Sequence, residues 1–299
     1  MNPRAPLLLP LIIGSFLSSG SVCGQEFDQT GAAYVDVQPG VLPILISAPH
    51  GGTIQEPRIL KRLYGKVLMD AKTDVLALAI REELNRLHGA PPHLVRCLLH
   101  RSKVDCNREI TEGAQKDETA QRVWRTYHDA CSDARQQMEA SHGGGLVLDI
   151  HGHRHEKARA ELGYLLKGDA LDLNDMALDE LDPAATSIAD LMQRGGSSIS
   201  EVLRGPFSLG ALLEQRGFSS IPSPVNPGPE GAPYFSGGYI TSTHGSKGGG
   251  SISAIQIECP WDGLRDTEAN RHRFAKALAE ALGPFFEKHY GITLGGAKP

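Results

Sequence analysis

Short apolar segments of strand length alternate along this chain with segments of helical periodicity. Strands are predicted at 43–47, 94–99, 146–150 and 252–258, and helices at 74–87, 118–141, 208–217 and 267–290. Short apolar runs between turn signals are typical of buried strands, whereas apolar residues spaced three and four apart indicate helices. The alternation predicts the α/β class, as a three-layer α/β/α sandwich on a mixed, largely parallel sheet.

Three of the predicted strands end at, or just before, a histidine or a glutamate. His50 follows the first strand, His151 follows the third, and Glu258 ends the last one. In open α/β sheets, ligands bind beyond the carboxyl ends of the strands. These three side chains are therefore predicted to share one site.

The first 24 residues have the pattern of a secretory signal peptide. Arg4 provides a positive charge, and an apolar run extends from Leu7 to Phe16. This run is shorter than the roughly 20 residues that a membrane-spanning helix needs. The alternatives are an uncleaved anchor and lipoprotein cleavage at Cys23. The pattern predicts an exported protein, periplasmic or secreted and without stable membrane insertion, with one catalytic domain at 25–299.

Charge and cysteine usage exclude two classes of site. The net charge is -5 and no basic cluster is present, so a nucleic-acid partner is not expected. No CxxC motif occurs, and a zinc site here would have to use histidine and carboxylate ligands. The sequence leaves the pairing of the cysteines and the oligomeric state open.

The turn Pro49-His50-Gly51-Gly52 places an accessible imidazole at a strand end, and Glu56 follows in the same loop. Catalytic zinc sites use three protein ligands and leave a position open for water, so this pair could provide two of them. A solvent-facing histidine beside a glycine turn is the alternative. The HGG sequence also occurs in serine hydrolases, but no GxSxG nucleophile motif is present.

The segment Asp149-Ile150-His151-Gly152-His153 provides a second group of candidate ligands. Asp149 could accept the second ring N–H of His151, or lie beside it as a base. Continued strand structure would put His151 and His153 on one face, but Gly152 favours a turn. A solvated histidine-rich loop that captures metal incidentally is the alternative.

Two further groups could act on a substrate. Arg101, Asn107 and Arg108 follow the second strand, and arginine binds carboxylates through paired hydrogen bonds, so a substrate with a free carboxylate is expected. A solvated charge run is the alternative. Glu258 ends an apolar strand, where desolvation raises a carboxyl pKa toward the range of a general base or acid. An edge carboxylate paired with an arginine is the alternative there.

Taken together, these motifs resemble the N-formylglutamate amidohydrolase family, whose fold is similar to that of the zinc carboxypeptidases and aspartoacylases. The matching segments are, in order, Pro49-His50-Gly51-Gly52, Asp105-Cys106-Asn107-Arg108, Asp149-Ile150-His151-Gly152, residues 237–245 and Gln256-Ile257-Glu258. Each motif is short, and their shared order over most of the chain carries the resemblance.

The resemblance implies a zinc ion held by His50, His151 and Glu56. The spacing departs from the carboxypeptidase pattern, because Thr53 stands three residues after His50, and His153 competes with Glu56 as the third ligand.

The resemblance also implies the roles around the metal. Asn107 and Arg108 would hold the substrate carboxylate, and Arg101 or Arg108 would stabilise the oxyanion. Glu258 would be the general base. The loop from Tyr239 to His244 would line the pocket.

The expected activity is zinc-dependent hydrolysis of an amide bond in a small, carboxylate-bearing N-acyl amino acid or peptide. A zinc carboxypeptidase or an esterase is the alternative among enzymes. A catalytically inactive, exported ligand-binding protein of the same fold is the alternative from another class.

Overall fold

A mixed seven-stranded sheet forms the centre of the computed structural model, which describes residues 28–295. The strands are β1 (Val35–Gln38), β2 (Ile44–Ala48), β3 (His93–Cys97), β4 (Gly145–His153), β5 (Ala160–Gly163), β6 (Ser220–Ile221) and β7 (Ile252–Pro260). Their order across the sheet is β1-β3-β2-β4-β7-β5-β6. Strands β3, β2, β4 and β7 run parallel to one another, whereas β1 is antiparallel to β3 and β5 is antiparallel to β7.

Helices cover both faces of this sheet. They are α1 (Thr73–His88), α2 (Ile110–Gly113), α3 (Glu118–His142), α4 (Gly168–Leu171), α5 (Asp175–Asp179), α6 (Ala189–Gly195), α7 (Ile199–Arg204), α8 (Leu209–Glu214), α9 (Tyr239–His244) and α10 (Glu268–Tyr290). Between residues 28 and 295, none of the helices combines the length and the apolar character needed to cross a membrane. The predicted signal peptide and its cleavage site lie outside the described residues, and the domain extent of 25–299 stays a prediction.

Side-chain alternation in the central strands divides the apolar residues between two cores. Ile46 and Leu148 face α1 and α10, whereas Leu45 and Val147 face α3. Successive strand residues point to opposite faces, so each central strand supplies both cores. The predicted three-layer α/β/α sandwich with a mixed, largely parallel sheet is confirmed.

The same alternation creates the polar part of the molecule. Beyond the α3-facing core, the same face of the sheet carries Asp149, His151 and His153 on β4, and Gln256 and Glu258 on β7. These polar side chains lie toward the carboxyl ends of two neighbouring parallel strands. The fold therefore brings them to one edge.

Strand β4 continues through Gly152 to His153, which corrects the expected turn. A Cβ atom on Gly152 would lie 2.2 Å from Cζ of Arg265. The Arg265 guanidinium donates to the carbonyl oxygens of Cys259 and His153. Glycine is thus required here by the close approach of a guanidinium to the strand.

The segment between β4 and β7 was the least predictable part. Its strands β5 and β6 and helices α4 to α7 are each at most seven residues long, too short to show a clear period. Helix α8 and the proline-rich loop at 222–234 match the sequence expectation. The four described cysteines, Cys97, Cys106, Cys131 and Cys259, are buried free thiols, which answers the open question of their pairing.

Gly52 lies where the loop after β2 crosses the end of β3, and its substitution should destabilise the fold. A Cβ atom there would lie 2.3 Å from the Leu98 carbonyl carbon, so backbone must shift. We expect Gly52→Ala to lower the free energy of unfolding by about 2 kcal/mol, measured by urea denaturation. Gly283→Ala in α10 is the control, because the nearest atom there is 3.8 Å away and alanine favours a helix. Equal stabilities of the two variants would contradict the steric argument.

Candidate metal and active site

The carboxyl ends of β2, β4 and β7 meet at a cavity of about 760 Å³. His50 follows β2, while His151 and Glu258 are paired across the adjacent strands β4 and β7. Asp70 lies in the loop before α1, and all four residues line the cavity. The predicted meeting of His50, His151 and Glu258 is found in the structure.

Three ligand atoms converge on the cavity floor. The Nδ1 atoms of His50 and His151 are 3.1 Å apart, and Asp70 Oδ2 lies 3.2 and 3.1 Å from them. Nitrogen and oxygen ligands about 2.0–2.1 Å from a tetrahedral zinc ion lie roughly 3.3 Å apart. The observed triangle therefore has the dimensions of one face of a zinc coordination sphere.

The outer nitrogens of both imidazoles face buried carboxylates. His50 Nε2 lies 2.7 Å from Asp105 Oδ1, and His151 Nε2 lies 2.8 Å from Asp149 Oδ2. Asp105 and Asp149 are fully buried. Carboxylates in this position fix the tautomer and orientation of metal-binding histidines. Asp149 takes the role expected from the sequence.

This hydrogen bonding leaves lone pairs directed at the floor of the cavity. If both imidazoles donate Nε2–H outward, both Nδ1 atoms and Asp70 Oδ2 are acceptors facing one another. Three acceptors in contact repel unless a proton or a cation lies between them. Two imidazoles and one carboxylate suit zinc, and three protein ligands leave a position open for water. The residues present therefore fit the metal that the sequence predicts.

Asp70, rather than Glu56, completes this triangle. Glu56 instead pairs with Arg58 at 2.7 Å, and it lies outside the groups in the described chain that could hold a metal ion. Asp70 is anchored because its N–H donates to the His50 carbonyl oxygen and its own carbonyl accepts from Thr73. This placement corrects the assignment of Glu56 as third ligand.

Arg101 connects the two carboxylates that surround His50. Its Nε donates to Asp105 Oδ2 at 2.9 Å, and its Nη1 lies 3.6 Å from Asp70 Oδ1. Burial is the largest single influence and raises the pKa of both aspartates, but His50 together with His151 at Asp70, and His50 together with Arg101 at Asp105, outweighs it and holds each pKa well below the usual range. Arg101 thus stabilises the candidate ligand Asp70 and the carboxylate of Asp105 that orients His50, although the sequence assigned Arg101 to the substrate.

Glu258 has one carboxylate oxygen without a partner among the described residues. Its Oε1 accepts from Gln256 Nε2 at 3.1 Å, while Oε2 is buried and unpaired. Burial is the main cause that raises the pKa of Glu258 to about 8, with His151 opposing it and Asp70 adding to it. A carboxyl group with such a pKa can exchange a proton near neutral pH.

Asn107 and Arg108 line the cavity, but most hydrogen-bonding groups of the Asn107 side chain already have protein partners. Its Oδ1 accepts from the Ile240 N–H, and its Nδ2 donates to Gln256 Oε1 at 3.4 Å. Arg108 is partly exposed and donates to the Asn107 carbonyl oxygen. Asn107 therefore links α9 to β7, which leaves one Nδ2 hydrogen for a substrate carboxylate.

Tyr239 and His244 do not contribute to the cavity lining within the described chain. Tyr239 packs against the rings of Trp124 and His128. His244 is buried behind the site, with Nε2 2.9 Å from His128 Nδ1. Helix α9 thus supports the site from behind, which corrects the expectation that its side chains face the substrate.

His153, the competing third ligand, belongs to another group, with His155 and Glu161. Its Nε2 bonds to the Arg159 carbonyl oxygen and its Nδ1 accepts from the His155 N–H. His155 Nδ1 lies 2.8 Å from Glu161 Oε1. Protein groups therefore satisfy most of these atoms, and His153 stays apart from the triangle.

Sequence reasoning missed Asp70, although one signal could have found it. The chain between His50 and α1 contains two carboxylates, Glu56 and Asp70. Asp70 is far from His50 in sequence but immediately precedes a helix whose start packs on the glycine turn, where a Cβ on Gly51 would lie 2.3 Å from Asp74 N. That contact brings the end of the loop, which carries Asp70, back beside His50.

Comparison with known proteins supports the fold. No family model matches the sequence, and no curated protein matches it. A solved structure described as N-formylglutamate amidohydrolase from Ralstonia eutropha JMP134 is similar to this chain, with 13% identity, TM-score 0.50, and coverage of 86% of this chain and 98% of the other. A gene product of Agrobacterium tumefaciens is similar with 16% identity, TM-score 0.52 and coverage of 87% and 98%.

At these identities the likeness concerns the fold. The chain has the architecture of a solved N-formylglutamate amidohydrolase structure, as its motifs predicted. The resemblance stated from the sequence is confirmed at that level.

Substitution of Asp70 should remove the metal, whereas substitution of Glu56 should not. We expect wild-type protein to bind about one zinc ion per chain and Asp70→Ala to bind at least tenfold more weakly, because one of three ligands is lost. Metal content after dialysis, measured by mass spectrometry, checks this. Glu56→Gln is the matched control and should retain zinc; loss of zinc there alone would restore Glu56 as the ligand.

The buried pair His128 and His244 should make the fold sensitive to acid. Burial is the main cause that lowers the pKa of His128 to about 4 and that of His244 to about 3. The unfolded chain, with histidine pKa values of about 6.5, binds more protons below that pH. The free energy of unfolding should therefore fall between about pH 6.5 and 4, by up to ~1.4 kcal/mol per pH unit for each histidine.

Urea denaturation at several pH values measures this slope. His244→Gln should make it shallower, whereas substitution of the half-exposed His272 should leave it unchanged. An unchanged slope in His244→Gln would contradict the assignment.

Proposed function

We propose that this protein is a zinc-dependent hydrolase that cleaves an amide bond in a small N-acyl amino acid or peptide with a free carboxylate. The observation that carries the proposal is the position of Glu258. Its unpaired, buried Oε2 belongs to the same cavity as the converging His50, Asp70 and His151. A protein that only bound a ligand would need no such carboxyl group beside a metal site.

The residues of the chain have distinct roles in this mechanism. His50, Asp70 and His151 would hold the zinc ion, which when bound would supply a Lewis acid for the scissile carbonyl and lower the pKa of water. Asp105 and Asp149 hold the imidazoles in the tautomer that presents Nδ1 to the metal. Glu258 takes a proton from the attacking water at Oε2 and returns it to the leaving nitrogen. Arg108, partly exposed in the cavity wall, is the candidate to stabilise the oxyanion.

Two further observations support the proposal. The fold is shared with a structure described as an amidohydrolase, although the low identity limits that support to architecture. The leader-like pattern at the N-terminus supports an exported enzyme, for which a peptide or cell-wall fragment is a natural substrate class.

Glu258→Gln should abolish turnover without removing the metal. The amide keeps the shape of the side chain but cannot accept the proton, so we expect kcat to fall by about 10²–10⁴. The assay is a panel of N-acyl amino acids and short peptides with zinc-loaded protein, with and without a chelator. Exposed Glu230→Gln is the control and should behave as wild type.

The panel also separates the alternatives. Retained activity in Glu258→Gln would remove this residue from its role. Ligand binding without hydrolysis by wild-type protein across the panel would favour the exported binding protein instead.

A further inference from the structure

The wall of the cavity contains five cationic side chains of different availability. They are Lys66, Arg101, Arg108, Arg154 and Arg265. Arg101 is committed to Asp70 and Asp105, and Arg265 is buried and donates to backbone carbonyl oxygens. Arg108 donates to the Asn107 carbonyl oxygen and lies 3.4 Å from Glu112.

Lys66 and Arg154 differ from the other three. Lys66 Nζ lies 4.9 Å from the ring centre of Phe235, and Arg154 Cζ lies 4.9 Å from that of Trp261. Both cations are exposed, and both rings line the same cavity. Within residues 28–295, neither cation has an acidic partner at ion-pair distance. Each charge is therefore held in position without being neutralised.

Contact with an aromatic ring makes a cationic side chain better suited to bind an anion. A cation–aromatic contact at an exposed site contributes only about 0.5–1 kcal/mol, which restricts the long side chain but leaves its N–H donors available. Less conformational entropy is then lost when a ligand binds. A lysine and an arginine that are restrained in this way favour a carboxylate.

Trp261 provides a second reason to expect a bound anion at the rim of the cavity, the exposed part of its wall where Lys66 and Arg154 lie. Its ring contacts both Arg154 and Arg265, whose Cζ atoms are 4.9 and 5.5 Å from the ring centre. Burial is the main cause that lowers the pKa of Arg265, and the charge of Arg154 adds to it. The two guanidinium groups repel each other, and an anion bound by Arg154 would reduce that repulsion.

We propose that Lys66 and Arg154, restrained by Phe235 and Trp261 at the rim of the cavity, bind a carboxylate of the substrate. This inference rests on the proposed function for the identity of the substrate, and it assigns carboxylate recognition, which was predicted from the sequence for Asn107 and Arg108, to two residues that the sequence motifs did not include. The substrate would then lie with its carboxylate at the mouth of the cavity and its amide at the floor, where His50, Asp70 and His151 converge.

Binding and catalysis are measured separately to test this proposal. The probes are N-acetyl-L-glutamate and its diamide, titrated by calorimetry into zinc-loaded protein at low and high salt. We expect the acid to bind at least tenfold more tightly than the diamide, because charge-assisted hydrogen bonds are lost in the diamide. We also expect the affinity for the acid to fall as salt rises.

Lys66→Met and Arg154→Met should each weaken binding of the acid about tenfold and leave binding of the diamide unchanged. In turnover assays they should raise KM and leave kcat nearly constant, as expected for a charge that binds ground state and transition state equally. The matched controls are Lys61→Met, on the same loop as Lys66, and Lys157→Met, three residues after Arg154. Both lysines are exposed and lie outside the cavity lining.

The outcomes distinguish this inference from the proposed function. Suppose that Lys66→Met and Arg154→Met lose binding of the acid and that wild-type protein hydrolyses no substrate. This result would support carboxylate binding at the rim and overturn the proposed hydrolase function. Equal affinity of wild type for the acid and the diamide, or no measurable binding of either, would overturn the proposed carboxylate site at the rim. The proposal would also be overturned if Lys66→Met and Arg154→Met bound the acid as tightly as the control variants Lys61→Met and Lys157→Met do.

Discussion

Two buried carboxylates behind the candidate metal ligands His50 and His151 determine the chemistry of the cavity floor. Asp105 and Asp149 accept from the outer nitrogens of His50 and His151, which turns the inner lone pairs toward Asp70. Removing either carboxylate would free an imidazole to change its tautomer, and the convergence of three acceptors would be lost. The position of Arg101 between Asp70 and Asp105 follows from the same requirement, because two buried carboxylates near one histidine need a further positive charge.

The backbone explains how these groups meet. Parallel β2, β4 and β7 end at the same edge, and alternation along β4 puts Asp149, His151 and His153 on the face that bears Glu258 of β7. The apolar residues between them fill the core against α1 and α10. Strand β4 therefore supplies both apolar residues of the core and His151, one of the three candidate ligands.

Much of this arrangement could be predicted from sequence, since strand ends and helical periodicity are local signals. His50, His151 and Glu258 stand at strand ends, and they were predicted together for that reason. Asp70 could not be found in the same way, because its place depends on how a long loop returns across Gly51 to the start of α1. Gly152 suggested a turn, since the approach of Arg265 from a distant part of the chain leaves no local signal. Tyr239 and His244 were misassigned because a motif does not tell which side of a short helix faces the cavity.

The turn from Trp261 to Arg265 links the rim of the cavity to its floor. Trp261 restrains a rim cation, while Arg265 binds the carbonyl oxygens of Ala71, Cys259 and His153 and so joins the loop after Asp70 to the ends of β7 and β4. The rim of the cavity and its floor, where His50, Asp70 and His151 converge, are therefore structurally coupled. Transplanting the rim of this cavity onto a related scaffold would have to carry Arg265, and the glycine beneath it, along with the residues that touch the ligand.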